Sequence, residues 1–234
     1  MSQRIRTGVV LALLLILGAP RPVDASHITG PDRVYFPETG HYLAGGFLEY
    51  WRLHGGVRVF GYPLTEELSE QGLTVQYFER AVFEWHPGAP DGWKVQLRRI
   101  GAELTADRAG ELPFRPVTAS ATSECRVLAE TRHRLCHGFR DFWERNGDVR
   151  LFGFPISEEF VEGGITVQWF ERARFEYHPG APETPGTIQL TRLGALAADR
   201  AGVERAPLPP SADVPAYDPA LWVTAGLPAS LVPP

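Results

Sequence analysis

Lysine is almost missing from this chain: of 23 basic residues only Lys94 is a lysine, and the arginines lie scattered among 28 acidic residues, for a formal charge of −5. No cluster is dense enough to track a phosphate backbone, which argues against a nucleic-acid partner. Two cysteines are too few for a disulfide-dense scaffold or a complete four-thiolate zinc site. No apolar run reaches the roughly 20 residues that cross a bilayer as a helix. Neither a Gly-x-Ser-x-Gly elbow nor a phosphate loop is present.

Against these gaps stand 13 Phe, 7 Tyr and 6 Trp, enough aromatic surface for a packed core. At the N-terminus, Arg4 and Arg6 precede an apolar stretch from Val9 to Pro20, and Val23-Asp24-Ala25 places small residues before a cleavage point. The pattern predicts a secretory signal peptide over residues 1–25. Its removal leaves 20 basic and 27 acidic side chains, a charge of −7, and predicts a mature chain with no membrane span, secreted or associated with the cell envelope. In an oxidising compartment Cys125 and Cys136, with ten residues between them, are expected to form a bridge contributing roughly 3 kcal/mol. Free thiols or half of a metal site are the rival reading.

Residues 35–110 and 127–202 align with one short insertion and one deletion, with roughly half the positions identical. In the first copy the thread runs Glu38-Thr39-Gly40-His41, Gly46-Phe47, Tyr50-Trp51, Gly55-Gly56, Phe60-Gly61-Tyr62-Pro63, Thr65-Glu66-Glu67, Val75 to Ala81, Phe83-Glu84-Trp85 and His86-Pro87-Gly88-Ala89-Pro90. The second repeats it through Phe152-Gly153-Phe154-Pro155, Ser157-Glu158-Glu159, Val167 to Ala173 and His178-Pro179-Gly180-Ala181-Pro182.

Leu43, Phe47, Tyr50 and Trp51 fall on one helical face, as do Leu135, Phe139, Phe142 and Trp143, and Gly55-Gly56 reads as a left-handed stop. Thr65 and Ser157 read as caps of a short helical turn that opens on two glutamates. Val75–Phe78 and Val82–His86 read as a hairpin with Glu79-Arg80-Ala81 at its tip. A short strand at 95–97 or 188–190 and an Ala-rich helical piece complete each unit. The expected fold is α+β: two tandem modules, each a short helix, a β-hairpin and a further strand, packed together. Their boundaries are 26–110 and 127–204, with a linker at 111–126 and a Pro-rich extended tail at 205–234.

The order of helix-borne Trp, Gly pair, Phe-Gly-aromatic-Pro, acidic pair, then Phe and an aromatic strand closed by Pro resembles the LGFP repeat, a family named for this tetrapeptide turn. Residues 38–87 and 130–179 carry the resemblance. Phe60 and Phe152 stand where the family has leucine, and Glu79-Arg80-Ala81 replaces a Gly-rich turn. The resemblance implies an exported bacterial protein that attaches to or supports the cell envelope, without an enzyme domain or cofactor.

Tyr77, Trp85, Trp169 and Tyr177 are the ligand-binding candidates. If the hairpin register puts each pair on one face, the rings could stack on the apolar face of a sugar; alternatively they fill the core, where Trp51 and Trp143 belong. Glu79 with Glu84, and Glu171 with Glu176, invite comparison with a glycosidase pair, but Glu79 beside Arg80 reads as a solvated ion pair of little energetic weight. His41, His133, His86 and His178 recur because the unit recurs, and no metal site is expected. The expected role is that of a secreted, non-catalytic repeat protein binding envelope polysaccharide or peptidoglycan; the alternative is a structural or protein-interaction module of the cell surface whose partner is another exported protein, and an envelope hydrolase ranks below both.

Overall fold

The structure, a computed structural model, describes residues 31–118, 120–180 and 188–219. The leader expected over 1–25 lies outside them, as do Ala181, Pro182 and residues 220–234.

In the first copy β1 (Arg33–Phe36) and β2 (His41–Ala44) form a two-stranded hairpin, followed by α1 (Gly45–Leu53) and α2 (Gly56–Phe60). Then β3 (Leu68–Glu70), β4 (Leu73–Tyr77), β5 (Val82–Trp85) and β6 (Val95–Leu97) build an antiparallel meander before α3 (Ile100–Leu104). After a 3₁₀ turn at Leu112–Phe114 the second copy repeats the order. It comprises β7 (Cys125–Val127), β8 (Arg134–Cys136), α4 (His137–Arg145), α5 (Asp148–Phe152), β9 (Phe160–Glu162), β10 (Ile165–Trp169), β11 (Arg174–Tyr177), β12 (Ile188–Leu190) and α6 (Leu193–Ala201). The fold is mixed α+β.

Two local expectations are corrected. Leu43 and Leu135 sit in β2 and β8 rather than on the following helix, because four apolar positions spaced for a helix also suit a short strand that enters it. No helical turn follows the Phe-Gly-aromatic-Pro motif. Thr65 Oγ1 and Ser157 Oγ instead accept the N–H groups of Tyr77 and Trp169, at 3.2 and 2.9 Å, and fasten the end of the central strand.

Each four-stranded sheet lies between two cores. One face, with Phe83, Val95 and Leu97 in the first copy and Phe175 in the second, meets α1, α2, α4 and α5 in a single cluster that spans both copies. The other, with Val75, Tyr77, Val82 and Trp169, packs with Ile100 and Leu193 of α3 and α6. Trp51 and Trp143 are core residues, and their Nε1 groups donate to Gly61 O and Gly153 O at 3.0 Å.

The copies dock reciprocally. The Phe78–Ala81 turn meets the start of α6, where Ala195 N donates to Glu79 O at 3.0 Å; Ala102 N donates to Glu171 O at the same distance. Helix-start amides that would otherwise lack acceptors are thereby satisfied. Arg80 Nε donates to Leu190 O and Arg172 Nε to Leu97 O, while Arg192 and Arg99 pair with Glu79 and Glu171. Both glutamates are largely buried, so the hairpin tip is not a solvated ion pair: the opposite copy covers it.

The segment following each copy straps the other. Val117 N donates to Arg132 O, and Leu208 N to Gly40 O. The tail then pairs in parallel with β1, where Tyr35 N donates to Pro215 O and Tyr217 N to Tyr35 O, and Tyr217 stacks on Phe36 with centroids 4.9 Å apart. The Pro-rich tail is thus docked on the first copy as far as Tyr217.

A Cβ on Gly101 or Gly194 would lie 2.0 Å from the carbonyl oxygen of Phe170 or Phe78. Gly→Ala gains about 0.5–1 kcal/mol of helix propensity, but a clash with fixed backbone costs about 1–3 kcal/mol. Gly101→Ala and Gly194→Ala should each lower the denaturation midpoint, whereas Gly88→Ala, facing open space, should not. At the end of α1, His54 stacks near Tyr50 with centroids 4.3 Å apart; burial, then the Arg150 guanidinium, pushes its pKa down to about 4. Between that value and the ordinary 6.5 the unfolded chain binds a proton that the folded chain refuses, so stability falls as pH falls, by at most about 3 kcal/mol. His54→Asn, the residue at the matching helix end of the second copy (Asn146), should flatten that slope in denaturation curves at pH 4–7.

Candidate functional site

Strand register decides the aromatic question. Tyr77 pairs with Val82 and Trp85 with Thr74, so Tyr77 and Trp85 point to opposite faces of the sheet. Trp169 pairs with Arg174 and Tyr177 with Thr166, giving the same division. Tyr77 and Trp169 are buried in the α3/α6 core, and Trp85 lies over Gly46 and Phe47. The register condition for a shared stacking face is therefore not met in either pair, and Tyr77 and Trp169 take the core alternative. Of the four candidates Tyr177 remains exposed, at 40%. Sequence reasoning missed Trp93, 60% exposed, whose ring lies 5.9 Å from the Arg150 guanidinium. Its signal was a tryptophan in the turn-rich Pro90-Asp91-Gly92 stretch, outside any periodic run.

The carboxylates resolve into two matched polar lines. In the first copy Arg98 bridges Glu84 at 2.7 Å and Glu70 at 2.8 Å, its Nη1 donates to Tyr77 Oη, and His86 meets Glu84 at 3.2 Å. In the second Arg174 bridges Glu176 at 2.6 Å and Glu162 at 2.9 Å, with His178 at 2.9 Å from Glu176. The guanidinium comes from a different position each time, just after β6 in the first copy and in β11 in the second: Val82 and Arg98 correspond to Arg174 and Thr191. Burial pushes the Glu176 carboxyl up, but hydrogen bonds from Thr191 and His178, with the Arg174 charge, hold it below the usual range. A carboxylate held ionised in this way is unsuited to donate a proton.

His41 and His133 pair with Glu66 and Glu158, at 3.4 and 3.1 Å, and the same glutamates accept from Tyr42 N and Arg134 N. All four repeated histidines thus have a carboxylate partner. His133 and His137 are four apart in sequence but share no helix face, since His137 opens α4 and is exposed. Among the described residues no group of three or more His, Cys, Asp or Glu is placed to hold a metal ion, and no helix is long and apolar enough to cross a membrane. Cys125 and Cys136 are bonded across directly paired positions of β7 and β8.

The Phe60-Gly61-Tyr62-Pro63 and Phe152-Gly153-Phe154-Pro155 turns are fastening points. Glu79 N donates to Tyr62 O and Arg80 N to Phe60 O; Glu171 and Arg172 do the same to Phe154 and Phe152. Gly61 has φ +76°, and a Cβ there would strike the Glu79 side chain at 2.4 Å. The motif thereby presents the Glu-Arg tip to the opposite copy.

What the copies hold is the proline-containing segment that follows the opposite copy; the one at 112–117 opens on the Leu112–Phe114 3₁₀ turn. The first holds residues 207–217 by main-chain bonds, Tyr35 and Tyr42 hydroxyls donating to Leu208 O and Pro209 O. The second holds 112–117: Glu158 N donates to Pro113 O at 2.7 Å, and the buried Phe114 ring lies between Phe160 and the Arg108 guanidinium, 4.5 Å away.

If the two polar lines are equivalent, Arg98→Thr alone should cost about 1–3 kcal/mol by leaving Glu70 and Glu84 facing each other. Adding Val82→Arg, which rebuilds the second copy's arrangement, should recover much of the loss in a denaturant-unfolding cycle. Strictly additive losses would show that the exchange is not compensating.

No family model matches the chain, and no curated protein matches it at a significant level.

Proposed function

We propose that this chain is an exported, non-catalytic interaction module that joins the cell envelope by holding proline-containing segments of other exported proteins. One observation carries the reading: each copy already holds a proline-containing segment in cis, through strand-edge or loop amides and an inserted aromatic ring, Tyr217 beside the edge of β1 in the first and Phe114 of the Leu112–Phe114 3₁₀ turn in the second. Segments of this kind suit recognition because proline restricts the chain before it binds, so that ordering it costs less entropy. The leader pattern and the resemblance to LGFP repeats support the envelope address.

A second reading, binding to envelope polysaccharide, is favoured by the exposed Trp93 and Tyr177 rings. The two separate in one experiment, sedimentation of the purified chain with insoluble envelope material before and after that material is stripped with protease. Loss of most of the retained chain after stripping is the expected result. Retention that survives stripping and falls in the Trp93→Ala, Tyr177→Ala double variant would overturn it in favour of polysaccharide.

A further inference from the structure

The two copies are unequal at one station. In the second, Arg108, reaching across from the first copy, pairs with Glu111 at 2.9 Å and with Glu162 at 2.8 Å, and its guanidinium covers the Phe114 ring above Trp169. The filling segment is Glu111-Leu112-Pro113-Phe114. In the first copy the matching Arg200 is followed, at the same spacing, by Val203-Glu204-Arg205-Ala206. Acid, proline and aromatic ring are all absent from their positions.

The vacancy is visible as structure. A cavity of about 170 Å³ opens between Tyr77 and Arg98 of the first copy's sheet and Leu104, Ala197, Arg200 and Ala201 of the two helices. That volume accommodates a phenyl ring. Arg200 has no carboxylate partner among the described residues, unlike Arg108. Glu66 N, the counterpart of the Glu158 N that donates to Pro113 O, likewise has no hydrogen-bond acceptor among them. A hole walled by Tyr77, Leu104, Ala197 and Ala201 and rimmed by charged side chains, a spare guanidinium and a spare main-chain donor correspond to what the Glu-Leu-Pro-Phe segment satisfies in the other copy.

We propose that this station binds, from another exported protein, a segment of the form Glu-x-Pro-aromatic that takes the same 3₁₀ turn as Leu112–Phe114. Its ring enters the cavity beside Tyr77 under Arg200, its carboxylate pairs with Arg200, and its proline carbonyl accepts from Glu66 N. Glu103 on the rim disfavours a segment with further acidic residues. The proposal rests on the segment-holding reading above and names the chemistry of its partner.

The test is calorimetric titration of the full chain with the capped peptide Gly-Glu-Leu-Pro-Phe-Arg-Pro-Val, the sequence of residues 110–117. Saturable one-to-one binding is expected, weakened about tenfold or more when the peptide's Phe becomes Ala and similarly by Ala201→Phe, which fills the cavity from its exposed helix end. Arg200→Gln should weaken the parent peptide but not a peptide whose Glu is replaced by Gln. Absence of saturable binding, or binding indifferent to both Ala201→Phe and the loss of the peptide's Phe, overturns the station. Envelope retention that remains protease-sensitive in that case leaves the broader reading standing, so the two failures are distinguishable.

Discussion

Everything in this structure depends on one contact made twice: a Glu-Arg turn of one copy pressed against the glycine at the start of a helix of the other. Glu79 and Glu171 offer carbonyls to helix-start amides, and Arg80 and Arg172 donate to the last strand of the opposite sheet. A unit of about 75 residues has little core of its own, and here neither copy completes its surface alone. The apolar cluster runs through both, and the tip that would be solvent-exposed in a single unit is covered by the helix start of the other copy.

That reciprocity constrains only some positions and leaves others free to diverge. The tip, the Phe-Gly-aromatic-Pro turn and the docking glycines are the same in both copies. Elsewhere equal ends are met by unequal means. The bridging guanidinium comes from Arg98, just past the sixth strand, in the first copy and from the eleventh strand in the second. The first hairpin is secured by the Tyr217 strap, the second by the Cys125–Cys136 bond. Divergence is cheapest where the opposite copy does not touch, which is also where a duplicated scaffold can acquire a difference between its sites.

Much of the fold was legible from local pattern. The central hairpin, the last short strand and the Ala-rich helices followed from β-branched and aromatic runs and from glycine spacing. The first hairpin of each copy was not, since strands of three or four residues leave too short a signal and their leucines also fit the helical period. The Glu79-Arg80 tip was misread for a different reason. Its residues are polar, and its burial is created by a helix more than 110 residues away. The aromatic candidates failed on parity: a four-residue turn from Phe78 to Ala81 sets Tyr77 opposite Val82, so Tyr77 and Trp85 part to different faces. Trp93 was overlooked because loop residues carry no period.

The unequal straps give the duplication its functional meaning. If both copies were fully covered in cis, the molecule would be a closed body with nothing to offer beyond its surface charge. Instead the tail and the linker diverge after the shared Ala-Asp-Arg-Ala-Gly stretch, and the linker supplies acid, proline and ring where the tail supplies none. The tail reaches onward to Tyr35 and Phe36 instead, covering a strand edge that would otherwise invite pairing with other chains. One copy is therefore closed at its edge and open at its helix station, while the other is closed at that station. A site of this kind is pre-organised by its twin: the contacts that dock the two copies also hold open the place that only one of them fills, so a binding segment orders little of the protein on arrival.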